Sequence, residues 1–375
     1  MAGVREAAMR RIVIASGFAA TLAVGVMAQS GGRQPFKVGT FERGGRAFIG
    51  VAVRDTQVVD LSEANAAMER RNASSPKVRM PADMKELIER YDGELRDRIG
   101  AIAADAASSR PSSTAYDITT LKVLPPVRPA LILNAGANYQ EHAQGIAQQQ
   151  QRAGAAPEAA VAAVTAPGIW ERKPGDTRDN PYLFMKSPTV VTGATDPIRI
   201  PPGRTQIDFE CEFNVVIGKT AKRVAIDRAA DHIFGYTIQI DVSDRGGRGD
   251  RKMGGSDWLV GKNHDTFGPL GPFIVPKEFV KDPTNVRHTF TLNGQVMQDS
   301  NTSRMSHNVY ELLHYASNIL TLNSGDVISG GSPAGTNIER AEPRWMRAGD
   351  TAVCTIEGIG TQTHAVVADT DVQSR

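Results

Sequence analysis

Two glutamates stand two residues apart in the segment FECEFNVVIGK, which begins at Phe209. In a β-strand, Glu210 and Glu212 project from the same face, roughly 7 Å apart along the chain. The segment is otherwise mostly apolar, so these like charges repel each other and lose hydration unless a cation lies between them. Carboxylate oxygens favour Mg²⁺, Mn²⁺ or Ca²⁺ over zinc. On this segment alone, a solvated strand face with two ordinary glutamates remains the simpler interpretation.

A third carboxylate, Asp241, ends the apolar segment GYTIQI and is followed by VSDR. Three carboxylates at strand ends predict a metal site that leaves positions for substrate and water.

Cys211 lies between the two glutamates, so its side chain should point to the opposite face, into packing. The only other cysteine is Cys354. An exported protein could pair the two, but two cysteines are too few for a disulfide scaffold, and we expect two buried thiols.

The elements that position these residues predict an α+β, mostly β fold. Alternating strands from Phe36 onward, followed by helical periodicity over 81–106, predict a small N-terminal α+β domain over 36–125. Short strands separated by Gly, Pro and Asp, with one helix near 306–319, predict a mixed, barrel-like domain over 126–375. Residues 144–182 interrupt that domain as a candidate lid, and their composition does not decide between helix and loop.

The N-terminus carries an export pattern. Residues 1–28 combine a basic start with an apolar run that ends Val-Met-Ala, which predicts a signal peptide followed by a short leader over 29–35. An uncleaved membrane anchor is the alternative. Cleavage would leave 40 basic and 40 acidic residues and no stable membrane span, and we expect a periplasmic or secreted protein. This charge balance argues against a nucleic-acid partner.

Five motifs occur in a fixed order: FECEFNVVIGK, GYTIQIDVSDR, GKNHDTFGPLGP, GDVISGGSPAG and GDTAVCTIEGIG, with NAGANYQEHA upstream. They closely resemble the ordered motifs of the fumarylacetoacetate hydrolase family, over about residues 36–367. The resemblance implies a mixed β-roll core with a smaller N-terminal domain, usually as a homodimer. It implies an Mg²⁺ or Mn²⁺ site, with Ca²⁺ as a further candidate, held by Glu210, Glu212 and Asp241. Substrates in the family are small 2-oxo and 1,3-dicarbonyl acids.

The resemblance also assigns roles to individual residues. His142 matches the water-activating histidine, and an imidazole that titrates near neutral pH suits a general base. Lys262 matches a lysine near the metal that donates a hydrogen bond or proton to a substrate oxygen. The simpler interpretations are a surface histidine and a surface lysine. The matches that imply substrate binding are Tyr139, Lys186, Arg245 and Ser332.

Two departures from the family pattern affect the predicted chemistry. Many members carry a glutamate three residues after the histidine as its partner, and here that position is Gly145. Glu158 or Glu171 could replace it; otherwise hydrolysis is weakened relative to isomerisation. Arg248 stands where the family often has glutamine, and the added cation suggests a more acidic substrate, such as a dicarboxylate.

Three functions are therefore open. The leading hypothesis is a metal-dependent hydrolase that cleaves a C–C bond in an acylpyruvate or a fumarylacetoacetate-like diketo acid. The alternative is an isomerase or hydratase of unsaturated 2-oxo dicarboxylates, resembling a 2-hydroxyhepta-2,4-diene-1,7-dioate isomerase. A non-catalytic binding protein that has kept the metal is the third. Product analysis distinguishes the three.

Overall fold

A computed structural model describes residues 34–370, except for positions 73, 75, 109–113, 153, 155–165, 167, 171–172 and 250–256. The predicted signal peptide lies outside the described residues, as do Glu158 and Glu171. Among the helices that are described, none has the length and apolar character needed to cross a bilayer.

The described residues form twenty strands and six α-helices. The strands are β1 (Lys37–Arg43), β2 (Arg46–Arg54), β3 (Gln57–Asp60), β4 (Ala115–Asp117), β5 (Lys122–Leu124), β6 (Ile132–Ala135), β7 (Leu183–Lys186), β8 (Val191–Thr192), β9 (Ile198–Ile200), β10 (Ile207–Asp208), β11 (Cys211–Ile217), β12 (Ile233–Ile240), β13 (Ser243–Asp244), β14 (Gly268–Pro269), β15 (Val275–Pro276), β16 (Arg287–Leu292), β17 (Gln295–Asn301), β18 (Val327–Ser329), β19 (Thr351–Ile356) and β20 (Gly360–Ala368). The helices are α1 (Leu61–Arg71), α2 (Met84–Arg90), α3 (Arg96–Ala107), α4 (Gln140–Arg152), α5 (Trp258–Lys262) and α6 (Val309–Ile319).

The N-terminal part is a five-stranded antiparallel sheet in the order β4-β3-β2-β1-β5, with α1 and α3 packed against β2. Gly44 and Gly45 join β1 to β2 with φ values of 56° and 78°, the backbone that a tight hairpin turn requires. The helix predicted over 81–106 begins at Met84, because the side chain of Asp83 caps it, and it is kinked at Gly93. The domain boundaries at 36–125 and 126–375 stay predictions.

Two large sheets build most of the rest of the described chain, beside two small two-stranded sheets, β10-β13 and β14-β8. One has six strands in the order β15-β12-β11-β18-β6-β7, and the other has five in the order β17-β16-β19-β20-β9. Both are mixed, since β18 pairs with β6 and β20 pairs with β9 in parallel. The predicted mostly β, α+β fold is therefore confirmed. The predicted helix near 306–319 corresponds to α6, and α4 extends to Arg152 within the predicted lid.

Strand β11 lies where these two sheets pack together, and all seven of its residues are buried. Its side chains alternate between two faces, so Cys211 and Phe213 point away from Glu212. The Cys211 face packs on the five-stranded sheet that contains β16 and β19. There the ring of Phe209 stacks on that of Phe290, with centroids 4.2 Å apart. The opposite face is left for polar side chains.

The prediction of two free thiols is wrong, because Cys211 and Cys354 form a disulfide. Cys354 lies on β19, in the sheet that packs on the apolar face of β11, and the two Cα atoms are 5.6 Å apart. The sequence separation is 143 residues. Closing so long a loop restricts the unfolded chain, and such a bond typically adds about 2–4 kcal/mol to the free energy of unfolding.

Candidate functional site

Three predicted metal ligands converge on the polar face of the six-stranded sheet. Glu210 immediately precedes β11, Glu212 lies within it, and Asp241 immediately follows β12. The antiparallel pairing of β11 with β12 brings these positions together, and the amide of Asp241 donates to the carbonyl of Glu210 at 2.9 Å. One carboxylate oxygen from each residue lies within 4.8 Å of the others. Glu210 is 5% exposed and Glu212 1%, so the solvated-face interpretation is wrong.

Two buried ammonium groups contact this triad. The Nζ atom of Lys262 donates to Glu210 at 2.7 Å and to Asp241 at 2.6 Å. The Nζ atom of Lys186 contacts the other oxygen of Asp241. Burial lowers the pKa of Lys262, but the charges of Asp241 and Glu210 outweigh burial and raise this pKa above its ordinary value. The Lys262 side chain is therefore an ammonium at neutral pH. Lys262 is 3% exposed, which excludes the surface-lysine interpretation.

Glu212 is the triad member that lacks a cationic partner among the described residues. Its Oε2 atom accepts hydrogen bonds from Asn134, at 2.9 Å, and from the hydroxyl of Ser329. Burial, together with the charges of Asp241 and Glu210, raises the pKa of Glu212 well above its ordinary value. The buried Oδ1 atom of Asn134 has no hydrogen-bond partner. A site with this excess of negative charge and only oxygen ligands fits a hard divalent cation such as Mg²⁺ or Mn²⁺.

Arg245 contacts the protein's own carboxylates. Its guanidinium donates to Asp208 at 3.1 Å and also contacts Glu210. Burial raises the pKa of Glu210, but the charges of Lys262 and Arg245 outweigh burial and hold this pKa well below its ordinary value. The charge of His142 acts in the same direction as those of Lys262 and Arg245. Arg245 therefore fixes a metal-ligand side chain. Its role as a clamp for a substrate carboxylate stays a prediction.

His142 lies in the first turn of α4 and is buried, so the surface-histidine interpretation is wrong. Its Nδ1 atom contacts Oε1 of Glu339, at the end of the short helical turn Asn337–Glu339. Sequence reasoning missed Glu339, which lies 197 residues further along the chain. The only local signal there, a glutamate three residues after Thr336, is typical of a helix cap and does not indicate a histidine partner.

Two predicted substrate-binding residues have their hydroxyls occupied within the protein. The hydroxyl of Tyr139 lies 3.1 Å from Nε2 of His288. The hydroxyl of Ser332 accepts a hydrogen bond from Gln298 at 3.0 Å, and Gln298 in turn accepts the amide of Cys211. These contacts join the two residues to β16 and β17, in the five-stranded sheet that contains β19. Lys186, by contrast, contacts the triad directly.

The burial of His288 predicts a loss of stability in acid. Burial lowers the pKa of His288 from 6.5 to about 4. Between these values the unfolded chain binds a proton that the folded chain does not, so stability is full above pH 6.5 and is lost as the pH falls towards 4. The whole shift corresponds to roughly 3 kcal/mol.

Urea unfolding of the wild type and of His288→Gln at several pH values measures this contribution. We expect the wild type to lose about 3 kcal/mol more than the variant between pH 7 and pH 4. Equal losses in the two proteins would exclude His288 as the acid-sensitive group.

The chain is similar to known proteins in sequence and in fold. The model of the fumarylacetoacetate (FAA) hydrolase C-terminal domain matches residues 131–367. A mitochondrial oxaloacetate tautomerase of Xenopus laevis is 40% identical over 187 residues, which are 50% of this chain and 58% of that protein, so the chain covers less than two thirds of it. One from Rattus norvegicus is 31% identical over 289 residues, 77% of this chain and 80% of that protein. Among solved structures, maleylpyruvate hydrolase from Sphingobium sp. SYK-6, in complex with manganese(II) and pyruvate, has a TM-score of 0.63 at 25% identity and covers 89% of this chain and 100% of its own.

Proposed function

Because the chain belongs to the fumarylacetoacetate hydrolase family, we propose that it is a divalent-metal-dependent enzyme that hydrolyses a C–C bond in an acylpyruvate or fumarylacetoacetate-like diketo acid. The observation that carries this proposal is the buried side chain of His142, whose Nδ1 atom contacts the carboxylate of Glu339. A metal site alone is enough for isomerisation. Hydrolysis additionally needs a base that activates water, and in this proposal His142 is that base.

Glu210, Glu212 and Asp241 would hold the cation. When bound, Mg²⁺ or Mn²⁺ supplies Lewis-acid polarisation of the substrate's carbonyl groups. The manganese and pyruvate in the maleylpyruvate hydrolase structure support both the metal and a 2-oxo acid as ligand. Four carboxylates (Asp208 and the triad) face three cations (Lys186, Arg245 and Lys262), so a divalent ion gives the site a net positive charge. That charge favours an anionic substrate.

The remaining steps belong to the protein's own residues. His142 takes a proton from water as the oxygen attacks the acyl carbonyl carbon. The C–C bond then breaks, and its electron pair leaves with the fragment that becomes pyruvate, or acetoacetate in the case of fumarylacetoacetate, and that fragment is protonated at carbon. The products are this 2-oxo or 3-oxo acid and a carboxylic acid, so one water is consumed. In this proposal the ammonium of Lys262, whose three N–H groups donate to Glu210, Asp241 and Ser243, supplies positive charge near a substrate oxygen that gains negative charge.

A second candidate reaction is keto–enol tautomerisation or isomerisation of a 2-oxo dicarboxylate, which moves a proton but consumes no water. It is favoured by the names of the two relatives described above, which are oxaloacetate tautomerases. Both reactions would use the same metal ligands, but this one does not need a base that activates water. A non-catalytic binding protein has less support, because it would not need Lys262 buried against the triad or His142 buried against Glu339.

One experiment separates these reactions. The purified chain is incubated with acetylpyruvate, fumarylacetoacetate or oxaloacetate and Mg²⁺ or Mn²⁺, and loss of the enol absorbance is followed with product analysis. Release of pyruvate or acetoacetate with a carboxylic acid supports the hydrolase. A spectral change without cleavage supports the tautomerase. Binding of these acids without turnover of any of them would overturn both.

We also propose that the protein is exported, to the periplasm or outside the cell. The signal pattern in residues 1–28 supports this, and so does the disulfide, because such bonds persist in oxidising compartments. N-terminal sequencing of the chain from a fractionated bacterial host should give Gln29 as the first residue. A full-length chain confined to the cytosol would contradict export.

The homodimer stays a prediction, and light scattering of the purified chain is the measurement that tests it.

A further inference from the structure

Cys211 lies between two of the three candidate metal ligands, and the five-stranded sheet holds it at three points. Its sulfur is bonded to that of Cys354 on β19. Its amide donates to Oε1 of Gln298 on β17 at 3.0 Å, and its carbonyl accepts from Nδ1 of His288 on β16 at 3.1 Å. Strands β17, β16 and β19 are neighbours in that sheet, so one residue of β11 is attached to three adjacent strands.

The pairing of these three strands explains why the attachments meet at one residue. Phe290 on β16 pairs with Gln298 on one side and with Cys354 on the other. Paired residues project to the same side of a sheet, so the three form one row on one face. His288 precedes Phe290 by two residues and therefore points to that face as well. All four side chains are buried, and the row lies against Cys211.

The attachments take the place of strand pairing at the end of β11 that carries the ligands. Strand β18 pairs with β11 over residues 214–216, and Cys211 lies beyond that stretch. Buried backbone groups need hydrogen-bond partners, and side chains supply them here. The ligand end of β11 is therefore held by Gln298, His288 and Cys354, all of which belong to the other sheet.

Holding this end in place matters because the ligands repel one another. Glu210, Glu212 and Asp241 each place one carboxylate oxygen within 4.8 Å of the others. Like charges at this separation push the end of β11 away from Asp241. A metal binds more tightly to ligands whose positions are fixed before it arrives. Cys211 adjoins both glutamates, so its attachments restrict the movement of both.

Among these attachments, the disulfide is covalent and depends on the redox state. We propose that the bond between Cys211 and Cys354 positions Glu210 and Glu212, so that the chain binds its divalent ion tightly only when this pair is oxidised. The proposal rests on the proposed function in one respect, namely that these carboxylates hold a metal. Both cysteines are 0% exposed, so the bond has to form before folding is complete. A chain folded in a reducing compartment would then bind the metal weakly.

The test compares Mn²⁺ affinity with and without the disulfide. The wild type is reduced with dithiothreitol in urea, refolded, and returned to reagent-free buffer without oxygen. The reagent passes two electrons and two protons to the disulfide, which gives two thiols, and becomes a cyclic disulfide itself. In calorimetric titrations we expect Mn²⁺ to bind roughly 10- to 100-fold more weakly to the reduced chain, as when other groups that orient metal ligands are lost. Cys354→Ala, which changes no residue of β11, should show the same loss.

Leu292→Ala is the matched control for lost stability. Leu292 is buried on β16, in the same sheet, and its replacement leaves the three attachments of Cys211 in place. This control should lower the unfolding temperature and keep the Mn²⁺ affinity.

Hydrogen exchange of the metal-free proteins gives a readout that needs no metal. We expect the amides of β11 to exchange faster in Cys354→Ala than in Leu292→Ala, because the end of β11 is released only in the former. The amides of β2, in the N-terminal sheet, should exchange at similar rates in both variants.

The proposal is overturned if either the reduced wild type or Cys354→Ala, once folded, binds Mn²⁺ as tightly as the oxidised wild type. It is equally overturned if Leu292→Ala loses as much affinity as Cys354→Ala, because lost stability would then explain both. If Cys354→Ala does not fold, the reduced wild type decides. If the oxidised wild type binds no Mn²⁺, the proposed metal site fails, while hydrogen exchange still decides whether the disulfide fixes the end of β11.

Discussion

Replacing Glu212 with glutamine should lower kcat/KM by roughly 10³-fold or more, because about 4 kcal/mol of Lewis-acid stabilisation is lost with the metal. Glu212 is the most informative ligand to change. Glu210 and Asp241 each neutralise a buried cation, so their removal would also destabilise the fold. Glu212 has no cation to leave unpaired, and a glutamine oxygen can still accept from Asn134 and Ser329.

The metal-free Glu212→Gln variant should therefore be at least as stable as the metal-free wild type, since repulsion from Glu210 and Asp241 is removed. Calorimetric titration with Mn²⁺ measures the affinity, and thermal unfolding with and without EDTA measures the stability. Asp326→Asn is a suitable control. Asp326 is also a buried carboxylate, but it accepts the backbone amides of Leu131 and Asn323. This control should lose stability and keep Mn²⁺ affinity. Wild-type Mn²⁺ affinity in Glu212→Gln, or turnover unaffected by EDTA, would contradict the metal site.

Replacing His142 with asparagine should lower kcat for C–C hydrolysis by about 10²–10⁴-fold, the usual contribution of a general base. The asparagine amide can still donate to Glu339 but offers nothing in place of Nε2. Mn²⁺ affinity should change little, because none of the three predicted ligands is altered. Stopped assays of pyruvate release, together with Mn²⁺ titration, measure the two effects separately.

The matched control is His364→Asn. His364 is also fully buried, and its Nδ1 atom pairs with the carbonyl of Asp196 at 2.6 Å, which an asparagine amide can replace. It lies on β20, in the other sheet, so its replacement should cost stability without reducing kcat. Unchanged hydrolysis in His142→Asn would remove the histidine from the mechanism, whatever the metal does.

The sequence alone determined those features of the site that depend on local periodicity. The two-residue repeat of a strand placed Glu210 and Glu212 on one face and Cys211 on the other, as the structure has them. Asp241 could be predicted as a partner because it ends the next apolar strand along the chain. The mostly β, α+β fold and the family followed from strand patterns and from the order of motifs, both of which are properties of the linear chain.

Only the tertiary structure decided which distant residues meet. The disulfide was not predictable, because nothing near Cys211 or Cys354 shows that their two sheets pack face to face. Arg245 has a matching position in the family, yet its contacts with Asp208 and Glu210 depend on how β10 and β13 pair.

Glu339 is the clearest case. Its contact with His142 depends on a turn anchored by Asp208 and on the absence of a side chain at Gly145. The sequence records this glycine only as a departure from the family pattern, since periodicity acts over a few residues, whereas the packing that brings a carboxylate to a histidine joins segments 197 residues apart.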